Sequence, residues 1–375
     1  MRPILAGVLV LSLACGVNPE PVAELSVEEL SRYVRKDADD REGWATDVRD
    51  GLRRADRPVD ADHACQVLAI IEQESGYDPD PAVPGLAAIV EEELGAEVED
   101  KLGFLGPTAL EMLLDVTPEG SDRPFREQLR AVRTERDVDL LFRDLKDHHA
   151  LAAPRLASGV ERMAPRMLER LNPVSTAGSM QVSVAYAQEH RVSQDLDRET
   201  VRDLLYTRHG GVLYGTLRLF DHEADYDEPV YRFADFNAGQ YASRNAAFQT
   251  QLADLTGTDL APDGDLLIWT DRGTPANADG ETVNALLAWR EAEAPELNET
   301  WMRWELRSEK TRDFESTRTW RLLRASWESK HGHEPAYARV PDVALDSPKL
   351  SGSWTTRFFA EKVQARYETC LARGG

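Results

Sequence analysis

The chain has 375 residues, 42% of them hydrophobic, and a formal net charge of −23. That length fits one large domain or two modest ones, and the hydrophobic share is that of an ordinary globular protein. The acidic surplus, with no basic stripe to offset it, argues against a nucleic-acid partner.

At the N-terminus, Arg2 precedes an apolar run from Ile4 to Ala14, and Cys15 follows at once. The run is too short to span a bilayer stably, but it has the positive start and apolar middle of a secretory signal. A cysteine straight after Ala14 resembles a lipoprotein processing site. The resemblance implies a signal peptide over 1–15, lipidation of Cys15 and a membrane anchor through that lipid. Ser12 stands where such sites usually carry Leu; an ordinary signal peptide cut nearby, or an uncleaved anchor, is the alternative. Gly16 rather than Asp follows the cysteine, and lipoproteins of that kind usually go to the outer membrane. The expected location is therefore the bacterial envelope, on the periplasmic face of the outer membrane. Residues 17–27 contain Pro and Glu and read as a tether.

Nearly every periodic segment beyond is helical, so the expected fold class is mainly α. Short polar helices are predicted over 26–35 and 41–54, then an apolar helix over 61–75 with Asp60 or Asp62 as N-cap. Leu86, Ile89, Val90 and Leu94 suggest another, and Leu110 to Leu114 a short one after Pro107. Two longer amphipathic helices are predicted over 123–146 and 150–171. At least two more lie between Ala185 and Phe220, broken around Gly210-Gly211. From 285 to 330, Trp289, Trp301, Trp304, Trp320 and Trp327 recur at helical spacing and are read as core rather than as sugar-stacking residues. A last helix is predicted from Trp354 to about Leu371. Leu266 to Trp269 is the best strand candidate, and nothing resembles a dinucleotide or phosphate-binding fingerprint.

Cys65 and Cys370 could pair in an oxidising compartment, and two unpaired, partly buried thiols are the equal alternative. No cofactor is called for, and no metal, since the cysteines and histidines lack ligand spacing. His148-His149 reads as a solvated face, and Asp235 as a polar helix-end residue.

The helix over 61–75 carries the main chemical signal. Ala64, Val67, Leu68 and Ile71 form its apolar stripe. Projected at about 100° per residue, Glu74 falls inside that arc, whereas Glu72 falls well outside it. A carboxyl on a core-facing stripe loses hydration, which raises its pKa and suits it to act as a general acid near neutral pH.

Three segments follow Glu74-Ser75 in order. They are Gly178-Ser179-Met180-Gln181, then Gly211 with Tyr214, then Phe236-Asn237-Ala238-Gly239. Together, over 61–80 and 170–255, they resemble the lysozyme-like catalytic domain of the soluble lytic transglycosylases. The whole chain also looks like an uncharacterised bacterial envelope lipoprotein family, a domain of unknown function. The first resemblance implies a lysozyme-like helical domain over 61–256. A large helical insertion over 81–170 takes the place of a short connection, the N-terminal tether and helices fill 16–60, and a further helical region covers 257–375. It also implies peptidoglycan glycan strands as substrate, Glu74 as catalytic acid and base, and Ser75, Gly178, Met180, Gln181, Phe236 and Asn237 around the sugar. Phe236 replaces the usual Tyr, so Tyr231 or Tyr241 would have to supply the missing hydroxyl. No second carboxylate has a family position suited to a nucleophile. The implied reaction is cleavage of the MurNAc-GlcNAc bond with a 1,6-anhydro product. A muramidase that uses water and a catalytically silent protein that binds glycan or a partner protein are the alternatives.

Overall fold

The computed structural model describes residues 23–152, 172–270, 273–345 and 354–374. The expected signal peptide over 1–15, Cys15 with it, and most of the helix expected over 150–171 lie outside the described residues. The fold is mainly helical, with strand confined to 3% of the chain.

The first core is built around α3 (Ala61–Glu74). Asp60 caps it, its side chain accepting the His63 N–H at 2.8 Å. Its residues from Ala64 to Ile71 are all buried, so α3 is enclosed on every side, where the sequence suggested one apolar arc. Its neighbours explain why. They are α2 (Arg41–Arg54), α10 (Arg208–Phe220) and the C-terminal α16 (Thr356–Gly374), which returns across the whole chain to lie against it. Cys65 and Cys370 are joined by a disulfide that closes a loop of 305 residues. Arg373 adds an ion pair to Glu72 at 2.7 Å, and the Tyr367 hydroxyl donates to Asp62 at 2.5 Å. The short α1 (Val27–Ser31) adds Leu30, and α11 (Pro229–Ala238) adds Phe233 and Ala234. This core thus draws on residues both before 61 and after 257.

The second core is formed from the segment expected as an insertion, together with Val174. It comprises α4 (Leu86–Leu102), α5 (Gly106–Leu114), α6 (Phe125–Leu129) and α7 (Glu135–Ala152), closed by Val174. The single helix expected over 123–146 is broken at 130–134. There Asp137 accepts the backbone N–H groups of Arg133 and Thr134 while Thr134 Oγ1 accepts that of Asp137, a reciprocal cap that starts α7 afresh. His148 and His149 are half-buried rather than solvated. The His148 ring packs edge-on against Phe125, and His149 Nε2 bonds the Leu113 carbonyl.

A two-residue hairpin, β1 (Thr176–Ala177) and β2 (Val182–Ser183), leads into α8 (Val184–Glu189), α9 (Arg198–Leu205) and α10. Gly210-Gly211 do not break a helix. They sit in the first turn of α10, which Thr207 caps by accepting the Gly210 N–H.

The third core takes Phe248 and Leu252 from α12 (Ala242–Thr256), then α13 (Glu281–Glu293), α14 (Glu299–Glu305) and α15 (Arg318–His331). Leu266–Trp269 is not a strand. The Leu266 N–H and the Trp269 indole N–H both turn to the buried Glu309 carboxylate, leaving one isolated bridge between Trp269 and Pro275. The remaining strands, β3 (Ala344–Leu345) and β4 (Trp354–Thr355), pair just before α16. Of the five tryptophans, Trp289 and Trp320 are core, and Trp327 is half-buried and stacked on His331. Trp301 and Trp304 depart from the core reading at 62% and 61% exposure, because α14 is a short surface helix that buries Met302. Among the described residues no helix is long and apolar enough to cross a membrane.

Candidate active site

Glu74 is the last residue of α3, and Ser75 is its C-cap. The chain then reverses through two left-handed residues, Gly76 at φ +61° and Tyr77 at φ +74°. A non-glycine residue holds such a backbone only when its surroundings impose it. Here Tyr77 is buried edge-on against Trp44, and Arg35 donates to the Gly76 carbonyl at 3.2 Å. The end of α3, and with it Glu74, is therefore fixed by packing from the N-terminal helices.

Glu74 is partly buried as a residue. Among the described residues no hydrogen bond or ion pair reaches its carboxyl. Loss of hydration, then the charge of Glu135, push its pKa up to about 7, with Arg366 opposing. Glu309 is an instructive contrast. Burial drives it to about 7 as well, but it is wholly enclosed and its oxygens hold Leu266 and Trp269. Of these two acids, Glu74 is the one with accessible surface and no partner holding it.

The glycine-rich segment next to β1 and β2 has a packing logic. At φ +81°, Gly178 takes a left-handed turn, and an added Cβ would lie 2.1 Å from the Leu205 carbonyl oxygen. Ser179 and Met180 then drop into the face of α10 at Gly211 and Gly215. A Cβ on Gly215 would meet Met180 Sδ at 2.2 Å, and one on Gly211 would meet Ser179 Oγ at 2.8 Å. The second and third sequence segments are thus two halves of one joint. It follows that Gly178 and Met180, expected against the glycan, are instead buried against α9 and α10. They shape the hairpin and present Gln181.

Gln181 stands at φ +48° with its side-chain amide held at both ends. Thr176 Oγ1 donates to its Oε1 at 2.8 Å, and its Nε2 donates to Glu135 Oε2 at 3.0 Å. Glu135, the first residue of α7, was invisible in the sequence because only the folding of α7 against the hairpin brings it here. Glu135 therefore hydrogen-bonds Gln181, and its charge is felt at Glu74.

The remaining expected residues are placed as follows. The Ser75 hydroxyl donates back to the Ile71 carbonyl at 3.1 Å, which leaves its lone pairs as acceptors. Phe236 is half-buried against the first core. Asn237 is exposed and accepts from the Thr356 hydroxyl at the start of α16 at 3.2 Å. No hydrogen bond among the described residues joins it to Glu74, Glu135 or Gln181. Tyr241 donates to the Glu223 carbonyl, and Tyr231 lines a separate cavity of about 650 Å³ with Trp327 and Arg339. Asp235 is fully buried rather than merely terminal. It accepts the Tyr241 and Ser243 N–H groups and the Tyr226 hydroxyl, and so splices α11 to α12. Among the described residues, Asp60, Asp62 and His63 could together approach a metal ion, well away from Glu74 at the other end of α3.

The arrangement offers one proton donor poised near neutrality, a second carboxylate and a fixed amide. The chain is 34% identical over 376 residues to a protein of Escherichia coli (strain K12) described as "Uncharacterized protein YaiW", covering 98% of this chain and 96% of that one. No solved structure matches it. A family model described as "Protein of unknown function (DUF1615)" matches residues 37–373, and the chain belongs to that family.

Proposed function

We propose that this protein is a murein lytic transglycosylase, held in the envelope by a lipid on Cys15, that cleaves the β-1,4 bond between MurNAc and GlcNAc in peptidoglycan. The observation that carries the reading is Glu74: a helix-end carboxyl on a partly buried residue, with no hydrogen bond or ion pair among the described residues and its pKa pushed up to about 7. Protonated, it donates its proton to the glycosidic oxygen as the carbon–oxygen bond breaks. Positive charge builds on the anomeric carbon, where the substrate's own N-acetyl group shields it. The Glu74 carboxylate then takes the proton of the muramyl 6-hydroxyl, whose oxygen bonds to that carbon. The sugar closes as a 1,6-anhydro ring, no water is consumed, and Glu74 is again protonated. Ser75, with acceptor capacity left over, faces the acetamido or hydroxyl groups, and Gln181 offers its fixed amide to the sugar.

A second reading, a catalytically silent envelope protein that binds glycan, draws on two contacts. Gln181 is engaged at both ends of its amide, and Asn237 is engaged by Thr356. Purified sacculi separate the readings. A transglycosylase releases soluble fragments whose ends are one water lighter than reducing ends, and a muramidase releases reducing ends. A silent binder is pulled down with the sacculi and releases nothing.

A further inference from the structure

The inserted helices are bound to the segment that carries Gln181 by buried polar contacts. Only 7% of Glu135 is exposed, and its carboxylate accepts the Gln181 amide. One turn further along α7, Asp139 is 1% exposed. It accepts hydrogen bonds from Asn172 at 2.8 Å and Arg143 at 2.6 Å and forms an ion pair with Arg202 of α9 at 2.5 Å. Such charge-assisted bonds in a low-dielectric setting fix geometry closely. They lock the N-terminal half of α7 to the segment that enters β1 and to α9. The joint also fixes the left-handed Gln181, whose side chain is anchored at both ends, by Thr176 from its own hairpin and by Glu135 from the insertion.

We propose that Glu135 is a positioning residue of the cleavage centre, setting the orientation of the Gln181 amide by the bond it accepts and supplying a fixed negative charge that acts on Glu74. This rests on the reading of Glu74 as the acid. The insertion is then part of the catalytic apparatus rather than a satellite, and supplies the second carboxylate that the transglycosylase pattern lacks. The charged groups that bear on Glu74 are Glu135 from α7 and Arg366 from α16, and their effects oppose. Glu72, on the same helix, is paired to Arg373. Around Glu135 itself stand Gln181 and the buried Tyr206 hydroxyl, whose pKa is raised by burial, then by Asp139, with Glu135 adding to the effect.

Two substitutions separate the two roles. Glu135→Gln keeps an oxygen that can accept from Gln181 and removes the charge, whereas Glu135→Ala removes both. The full chain is labelled with carboxyl-¹³C glutamate, and the Glu74 signal is assigned by its loss in Glu74→Gln. The signal is then titrated by NMR in the wild type and both variants, and sacculus cleavage is followed over the same pH range. The proposal expects the Glu74 midpoint, near 7 in the wild type, to move down towards the ordinary value of 4.5 in both variants. The alkaline limb of the cleavage profile moves with it in Glu135→Gln, and maximal turnover falls further in Glu135→Ala, where Gln181 is released. A midpoint that stays put in both variants overturns the proposal, even if the wild type cleaves sacculi. A midpoint that moves supports it even if no sacculus is cleaved, so its failure and that of the cleavage reading are told apart.

Discussion

Replacing Glu74 by Gln should stabilise the protein above neutral pH and leave its stability nearly unchanged in mild acid. The reason lies in the proton balance. The unfolded chain gives up the Glu74 proton near 4.5, while the folded chain keeps it to about 7. Below 4.5 both states are protonated and Glu74 contributes nothing to the pH dependence. Between 4.5 and 7 the folded state binds the extra proton, so stability falls as pH rises. Above 7 the carboxylate is charged in both states, and the folded protein carries the full penalty. The shift corresponds to roughly 3 kcal/mol at the ordinary conversion of 1.36 kcal/mol per pH unit. Gln has nearly the same volume and no charge to desolvate. Urea unfolding of wild type and Glu74→Gln at pH 4.5 and pH 8 measures the difference directly. The variant should gain up to about 3 kcal/mol at pH 8 and close to none at pH 4.5. An offset that is the same at both pH values would show that Glu74 titrates like an exposed carboxylate, and would refute the reasoning.

Other expectations follow from packing. Reducing the Cys65–Cys370 disulfide frees a loop of 305 residues and should lower stability by up to about 6 kcal/mol on the chain-entropy account, seen as a lower unfolding midpoint with reductant present. Gly215→Ala places a methyl group 2.2 Å from Met180 Sδ; it should cost about 1–3 kcal/mol as the hairpin is pushed from α10, and sacculus cleavage should drop with it. Trp289→Ala, at a site with 1% exposure, should cost about 3–5 kcal/mol, whereas Trp301→Ala, at 62% exposure, should change stability by less than about 0.5 kcal/mol in thermal or urea unfolding.

What the sequence made legible was local. The period of Ala64, Val67, Leu68 and Ile71 marked α3 and placed Glu74 on its inner side, because helical spacing is a property of neighbouring residues. The cysteines could only be offered as partners, since a span of 305 residues leaves no local trace of the pairing. What escaped was set by distant parts of the chain. The enclosure of α3 depends on α16, nearly three hundred residues later. Leu266 to Trp269 has strand composition, yet a buried acid at Glu309 draws its backbone out of any ladder. Gly210-Gly211 look like helix breakers, but Gly210 leaves room for the Leu204 carbonyl and Gly211 lets Ser179 approach α10. Glu135 follows a threonine in an ordinary charged stretch, and no spacing rule links it to Gln181, 46 residues away. Likewise Met180 looked like a substrate contact by its place in the motif, while Gly215 on α10 makes room to bury it.

The most direct measurement is mass analysis of the fragments released from purified sacculi by wild-type protein and by Glu74→Gln between pH 5 and pH 9. A protonated Glu74 predicts anhydro-ended fragments from the wild type, release that fades as pH rises through about 7, and none from the variant. Equal release by the two proteins, or release by the wild type that grows steadily above pH 7, would contradict the role given to Glu74.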